Sequence, residues 1–283
     1  MNYMSTFQNI LKTEWLKLKN YLSFWLLLLA TAISYPGINA IVYFGYDETT
    51  KPKNQSGQLL KMLLGNPFHF PEVYHSTAYL SSFFTFIPTI VVIMLITNEY
   101  QFRTHRQNII DGWQKNTFIL GKFISVVLVA VLVSLFFFLV ATAIGFIATP
   151  DLTKVEMFTK GKYIGLFFLQ IFTQLSFAFL LGLLVRKAFI AYGLFIFYGM
   201  IVENIAGAFF KLKIQKFGGI DYGQFLPFEI SDRLIPVPPF IGRFNDVDYK
   251  LALEAIDKHI VYSIVFVVLT WLFSFYIFKK RDL

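Results

Sequence analysis

Long apolar runs alternate with polar segments along the chain, and each run is long enough to cross a membrane as a helix. A membrane-spanning helix needs about 20 mostly apolar residues. The pattern therefore predicts an all-α integral membrane protein that forms a single transmembrane domain over 1–283. The six predicted transmembrane helices cover 22–44, 76–97, 121–148, 163–185, 188–210 and 259–278.

The polar segments divide this predicted domain into functional parts. An interfacial helix over 1–21 precedes spans one and two, and spans three to five follow a polar loop. The predicted parts are 1–21, spans one and two within 22–97, the loop 98–122, spans three to five within 123–210, the extracytoplasmic segment 211–258, and span six with a basic tail over 259–283.

The composition agrees with a membrane protein and limits its chemistry. Hydrophobic residues make up 56% of the 283 residues and charged residues 15%, whereas a soluble domain carries about 25% charged residues. The absence of cysteine excludes disulfide bonds and thiolate metal sites. The four histidines lack the spacing of a metal motif, so no metal site is predicted.

The distribution of charge predicts the orientation of the spans. Six spans place both termini on one side, which we call side A; it comprises 1–21, 98–122, 186–187 and 279–283, and the opposite side is side B. Side A carries 12 Lys or Arg against 4 Asp or Glu, whereas side B carries 13 against 12. The positive-inside rule then makes side A cytoplasmic. The net charge of +8 thus reflects topology, and no nucleic-acid partner is expected.

Residues 7–22 carry apolar side chains at helical spacing, with lysines on the rest of the helical wheel. This pattern predicts an amphipathic helix that lies in contact with membrane lipid at the interface. Two alternatives remain at this point. The segment is an ordinary basic lead-in to span one, or it begins a cleavable signal peptide, because Ala30-Thr31-Ala32 follows an apolar run.

The loop Asn98–Lys122 has the residues of a short amphipathic helix. Thr104 is suited to cap the start of this helix, and Gly112 is suited to its end. The alternative is a surface helix that only connects two spans. The predicted apolar side comprises Ile109, Ile110 and Trp113, and the predicted polar side comprises Arg103, Arg106, Gln107 and Lys115.

The same loop resembles the cytoplasmic segment between spans two and three in membrane subunits of ABC exporters of the ABC-2 class. In that class an acidic residue ends span two, and a Thr-x-Arg, a run of Ile or Leu, a Gly and a Lys follow. Arg103 and the pair Trp113-Gln114 depart from the pattern. The matching positions here are Glu99, Thr104, Arg106, Ile109, Ile110, Gly112 and Lys122.

The resemblance implies a permease subunit of an ABC exporter in the cytoplasmic membrane of a prokaryote. It implies pairing with a second copy or a paralogous permease, and a coupling helix that docks on a cytoplasmic ABC ATPase subunit. It also implies short helices that re-enter the outer leaflet within 211–258. The docking residues that it implies are Glu99, Thr104, Arg106, Ile109, Ile110, Gly112 and Trp113.

The sequence shows no P-loop of its own. The pairs Gly121-Lys122 and Gly161-Lys162 are followed by Phe and Tyr, where the phosphate-binding loop requires Ser or Thr. We therefore expect no enzymatic activity and no cofactor in this chain, with ATP and Mg²⁺ bound to the partner subunit.

Polar residues inside the predicted spans are candidates for a translocation path. The alternative for each is hydrogen bonding between packed helices or a place at the interface. The rival functions are an ATP-independent channel or transporter, and a membrane anchor or sensor that transports nothing; a membrane-embedded enzyme is disfavoured because no span carries a catalytic constellation. The candidate path residues are Asn39, Gln170, Thr173, Gln174 and Glu203.

Overall fold

The computed structural model describes residues 12–17, 19–51, 55–110, 114–153, 156–213 and 219–280, and every regular element among them is helical. This confirms the predicted all-α class. Five helices are long and apolar enough to cross a membrane. They are span one (Leu22–Thr49), span three (Lys115–Ala148), span four (Lys162–Val185), span five (Ala188–Leu212) and span six (Ile256–Lys280).

Span two is a bent pair of helices, Val73–Ser82 and Phe86–Gln101, which meet at 56°. Pro88 lies near the start of the second helix, and its ring prevents a regular helix from running through the preceding turn. Hydroxyl groups bond to the backbone carbonyls at the bend. Ser82 Oγ donates to the Tyr79 carbonyl at 2.7 Å, and Thr85 Oγ1 donates to the Ser82 carbonyl at 2.9 Å. These bonds give two carbonyls at the bend a side-chain partner.

The helices extend beyond the apolar runs that predicted them. Span two reaches Gln101, and span three already begins at Lys115. The predicted loop 98–122 is thus too long at both ends, because the backbone hydrogen bonds of a helix continue where its side chains become polar. Span three also begins without a side-chain cap, after Gln114.

Short helices occupy the connections between the spans. The side B segment predicted to re-enter the membrane packs its helix Pro227–Asp232 against span four, with Ile230, Leu234 and Ile235 buried. Re-entry into the leaflet itself stays a prediction. The short helices are Gln55–Leu64, Thr104–Ile110, Tyr222–Phe225, Pro227–Asp232, Pro239–Gly242, Arg243–Asn245 and Asp246–Glu254.

The ends of the spans meet as the predicted topology requires. On side A, Lys115 Nζ donates to the Lys279 carbonyl at 3.2 Å, and the rings of Phe118 and Phe278 stack at 4.9 Å. On side B, the Phe70 amide donates to Thr149 Oγ1 at 3.0 Å. The start of span three therefore lies beside the end of span six, and its end lies beside the start of span two.

Span four lies at the centre of the bundle and packs against spans two, three, five and six. Its side chains Phe167, Ile171, Leu175 and Phe179 are buried in the core. Gly182 lets this helix approach span two closely, since a Cβ at this position would lie 2.6 Å from Ile96 Cγ2. The core therefore depends on the absence of a side chain at one position of span four.

Replacing Gly182 with Ala should destabilise the bundle, whereas Gly165→Ala in the same helix should not. No heavy atom lies within 4 Å of a Cβ built at Gly165, so both changes gain the same helix propensity but only one overpacks the core. Overpacking costs about 1–3 kcal/mol. Thermal unfolding of the detergent-solubilised variants measures the difference. Equal midpoints for the two variants would contradict this packing.

Candidate functional site

A buried cluster of charged groups holds three separate parts of the chain together on side A. It consists of Glu14, Lys17, Glu99, Lys122 and Ser125, and we call it the Glu99 cluster. Lys122 Nζ lies 2.8 Å from Glu14 Oε2 and 2.6 Å from Glu99 Oε1. Lys17 Nζ lies 2.8 Å from the same oxygen of Glu99, and Ser125 Oγ donates to Glu14 Oε2 at 3.0 Å. The cluster joins the helical segment 12–17, the end of span two and the start of span three.

The charges of the Glu99 cluster balance within the described part of the chain, with two carboxylates and two ammonium groups. Lys122 is only 1% exposed, and Glu14 is fully buried. A charge buried in this way is tolerated only when it is paired and hydrogen-bonded. Each member therefore constrains the position of the others.

The helix Thr104–Ile110 is connected directly to this cluster. Arg103, which precedes the helix, has a φ of +54° and turns the chain between span two and the helix. Thr104 Oγ1 donates to Glu99 Oε2, and His105 Nδ1 donates to the Glu99 carbonyl at 2.7 Å. The prediction that Thr104 caps the helix was wrong, because Thr104 is its first helical residue and its hydroxyl binds the Glu99 carboxylate.

The structure separates the residues for which docking is implied into two groups. Glu99 and Thr104 hold the helix from within, and Ile109 packs against the core. Arg106 is exposed, and the Ile110 side chain is 84% exposed on the side A surface. Their role in docking stays a prediction. Two further docking residues, Gly112 and Trp113, lie outside the described residues.

A cavity of about 620 Å³ opens on the other half of the molecule, between the bend of span two, span five and the helix Pro227–Asp232. Two candidate path residues, Gln174 and Glu203, line it together with Asp232. Asp232 Oδ1 accepts hydrogen bonds from Gln170 Nε2 at 3.0 Å and Gln174 Nε2 at 2.9 Å. Gln170 and Gln174 thus meet at Asp232, and Gln174, Glu203 and Asp232 make the cavity wall polar.

The backbone of span five changes form at this cavity. Residues Tyr198–Val202 form a π-helical turn, and Glu203 follows it directly. Asn204 Nδ2 donates to the carbonyls of Gly199 and Met200, both at 3.0 Å. Glu203 Oε1 accepts the backbone N–H of Glu229 at 2.6 Å, which joins span five to the helix Pro227–Asp232. Single π turns occur frequently at functional sites.

The carboxyl group of Asp232 makes the cavity wall sensitive to pH. Behind it, Gln170 Oε1 and Gln174 Oε1 are buried and have no hydrogen-bond partner among the described residues. Asp232 opens onto the cavity, but the protein packed around its carboxyl leaves it poorly hydrated, and this desolvation raises the pKa of Asp232 to about 6. The wall therefore gains negative charge as the pH rises through that value.

The other two candidate path residues lie apart from the cavity. Asn39 Nδ2 donates to Ser81 Oγ at 3.1 Å and to the Tyr35 carbonyl at 2.8 Å, so it joins span one to span two. Thr173 is fully buried and donates to the Leu169 carbonyl of its own helix at 2.7 Å. The Asn39 arrangement is a hydrogen bond between helices, whereas the Thr173 bond lies within span four.

The family is decided by a match along most of the transmembrane region. Residues 10–202 match the family model described as ABC-2 family transporter protein. The chain belongs to the ABC-2 transporter family. A comparison with individually curated proteins gave no match. The family match confirms the predicted ABC-2 class.

The part of the chain that matches the ABC-2 family contains the whole Glu99 cluster and the helix Thr104–Ile110. It ends at residue 202, one residue before Glu203, so the helix Pro227–Asp232 and span six lie beyond it. This ABC-2 protein is therefore a multi-pass membrane protein of the transporter class. In its cavity wall, Gln174 lies within the part that matches the family model, whereas Glu203 and Asp232 lie beyond it.

Four residues of these two sites, Glu14, Lys17, Ser125 and Asp232, were missed from the sequence. Glu14 and Lys17 belong to a short basic amphipathic pattern, in which Glu14 is the only acidic residue before span one, and this was the one available signal. Asp232 lies outside every apolar run, and no pattern connects it with Gln170 and Gln174. Among the described residues, no group of three His, Asp or Glu could hold a metal ion.

Replacing Lys122 with Met should lower the free energy of unfolding by about 3–5 kcal/mol, because two buried carboxylates would be left with one cation. Thermal unfolding in detergent measures the loss, and the exposed Lys250→Met serves as the control, with a change within about 0.5 kcal/mol. The double variant Glu14→Gln with Lys122→Met should recover part of the loss, since it restores the charge balance. A Lys122→Met protein as stable as the control would exclude the buried ion pairs.

Proposed function

We propose that this chain is the permease subunit of an ATP-driven exporter, coupled to separate ATPase subunits that dock on the helix Thr104–Ile110. The observation that carries this proposal is the connection of that exposed helix to the Glu99 cluster. Through the cluster, the helix is joined to span two, span three and the segment 12–17. A surface helix that only linked two spans would not need a buried ionic connection to all three.

The Glu99 cluster supplies the coupling in this proposal. Movement of the helix displaces Thr104, whose hydroxyl is bound to the Glu99 carboxylate, and the buried charges cannot separate without a large loss of free energy. The ends of spans two and three therefore move together. ATP binding to the partner shifts the permease between conformations when the ATPase subunit binds one conformation more tightly than the other.

The proposal places side A in the cytoplasm. Both termini and the helix Thr104–Ile110 then lie in the cytoplasm of a prokaryotic cell, and the excess of Lys and Arg on side A supports this orientation. ATP and Mg²⁺ would bind to the ATPase subunit, and membrane lipid would surround the exposed apolar faces of the spans.

The cavity between spans two and five supports a translocation path between two permease copies, either identical or paralogous. It is open to one side of the bundle, and exposed apolar side chains such as Phe83 and Met200 surround it. A second copy that packs on this face would enclose the cavity. Gln174 and Glu203 then line the path, whereas Asn39 joins span one to span two.

Replacing Ile110 with Asp should remove the ATPase subunit from the purified permease, because it places a charge at the centre of the proposed apolar contact. The measurement is affinity purification of the full chain from its native membrane, with a stoichiometric P-loop ATPase identified by mass spectrometry. Leu251→Asp, on the exposed helix Asp246–Glu254 of side B, is the matched control. Retention of the ATPase by the Ile110→Asp chain would refute docking at this helix.

A single cysteine at Met200 should cross-link to a second permease chain in membranes, since Met200 is exposed and lines the cavity. The natural chain has no cysteine, so a reagent with one maleimide and one photoreactive group reacts only at the introduced position. Mass spectrometry of the adduct identifies an identical or a paralogous partner. The control is Leu272→Cys on the exposed face of span six. Efficient cross-linking from Leu272 and none from Met200 would place the dimer contact elsewhere.

A further inference from the structure

A second cavity, of about 750 Å³, lies on side A between the end of span two, the helix Thr104–Ile110 and the turn that joins spans four and five. Among the described residues that line it, four are cationic and none is Asp or Glu. Its apolar lining includes Phe189, at the start of span five. The cations are Arg103, Arg106, Arg186 and Lys187.

The four cations have no anionic partner in the described part of the chain. None of them forms an ion pair with a described carboxylate, although the neighbouring Glu99 cluster pairs both of its lysines. The guanidinium of Arg186 lies over the ring of Tyr100, 4.9 Å from its centroid. Because like charges repel, a concave surface of four cations is stabilised by an anion that enters it.

The backbone favours glycine at two of these positions, yet arginine stands at both. Arg103 has a φ of +54° and Arg186 has a φ of +60°, each in the left-handed region at a junction between helices. Glycine is the usual residue there, because a Cβ disfavours this conformation. The two strained residues come from distant parts of the chain and line the same cavity. Strain of this kind is found at binding sites.

The position of the cavity relative to the spans indicates the kind of anion. Val185 ends span four, Ala188 begins span five, and both line the cavity, so its mouth lies where the spans leave the bilayer. The Phe189 side chain is 89% exposed beside the cations, on the side of an apolar helix. A free phosphate would contact only the cations. The headgroup of a phospholipid would contact the cations, and its acyl chain would contact the apolar rim at Phe189.

We propose that this cavity binds the phosphate of an anionic phospholipid from the side A leaflet, with Arg186 and Lys187 as ligands and Phe189 against the acyl chain. Arg103 and Arg106 bind the headgroup from the opposite wall. Basic pockets between transmembrane helices bind anionic headgroups in the same way. The lipid thereby connects the helix Thr104–Ile110 with the turn between spans four and five.

The test is lipid binding to the purified full chain, measured by native mass spectrometry with phosphatidylglycerol or phosphatidylcholine. We expect the chain to bind phosphatidylglycerol more tightly than phosphatidylcholine. The double variant Arg186→Gln with Lys187→Gln should bind phosphatidylglycerol at least about tenfold more weakly than the natural chain. The matched control is Lys279→Gln with Lys280→Gln, two exposed lysines of side A that do not line the cavity. Neither test residue is among those implied in ATPase docking, so a failure here leaves the docking proposal intact.

Two further results would overturn the lipid assignment. Full displacement of phosphatidylglycerol by inorganic phosphate would show that the cavity is a site for soluble anions. Equal binding of phosphatidylglycerol by the test and control variants would show that the cavity does not bind the lipid. A second measurement, fluorescence quenching, leaves the four cationic residues unchanged. A fluorophore on Phe189→Cys should be quenched more strongly by spin-labelled phosphatidylglycerol than by spin-labelled phosphatidylcholine, and equal quenching would also contradict the proposal.

Discussion

The buried ammonium group of Lys122 is the constraint on which the side A half of the structure depends. A charge at this depth must be surrounded by opposite charge and hydrogen-bond partners. Lys122 obtains them from Glu14 and Glu99, which belong to two other parts of the chain. One requirement of electrostatics thus fixes three elements at once. It also fixes the position where the helix Thr104–Ile110 begins, because the Thr104 hydroxyl donates to the second carboxylate oxygen of Glu99.

A second constraint, the need to pair backbone groups within a membrane, shapes the other half. The bend in span two and the π turn in span five both interrupt regular helix, and in each case side chains bond to carbonyls near the interruption. Irregular backbone at membrane depth is tolerated where it is buried in protein or lines a cavity. Both interruptions border the same cavity, which Gln174, Glu203 and Asp232 make polar. The path proposed for this transporter thus lies where two spans depart from ideal geometry.

The spans could be predicted because apolar length alone decides which segments cross a bilayer. The sequence also marked Gln174 and Glu203 as candidate path residues, because polar groups at membrane depth are costly. The partners of the site residues could not be predicted, since Asp232 meets Gln174, and Glu14 meets Lys122, only through tertiary packing. The start of span three at Lys115 was missed because a helix continues beyond its apolar run at little cost. The role of Thr104 was mistaken because a capping pattern does not reveal a nearby carboxylate.

The separation of Glu14 from Lys122 along the chain has a consequence for biosynthesis. The two residues are 108 positions apart, and three spans must be made before the ammonium group reaches its carboxylate. A ribosome delivers the N-terminal segment first, so this segment must wait at the membrane surface, with Glu14 in water, until span three has been inserted. Residues 12–17 can therefore reach their final position only once the first half of the bundle is in place.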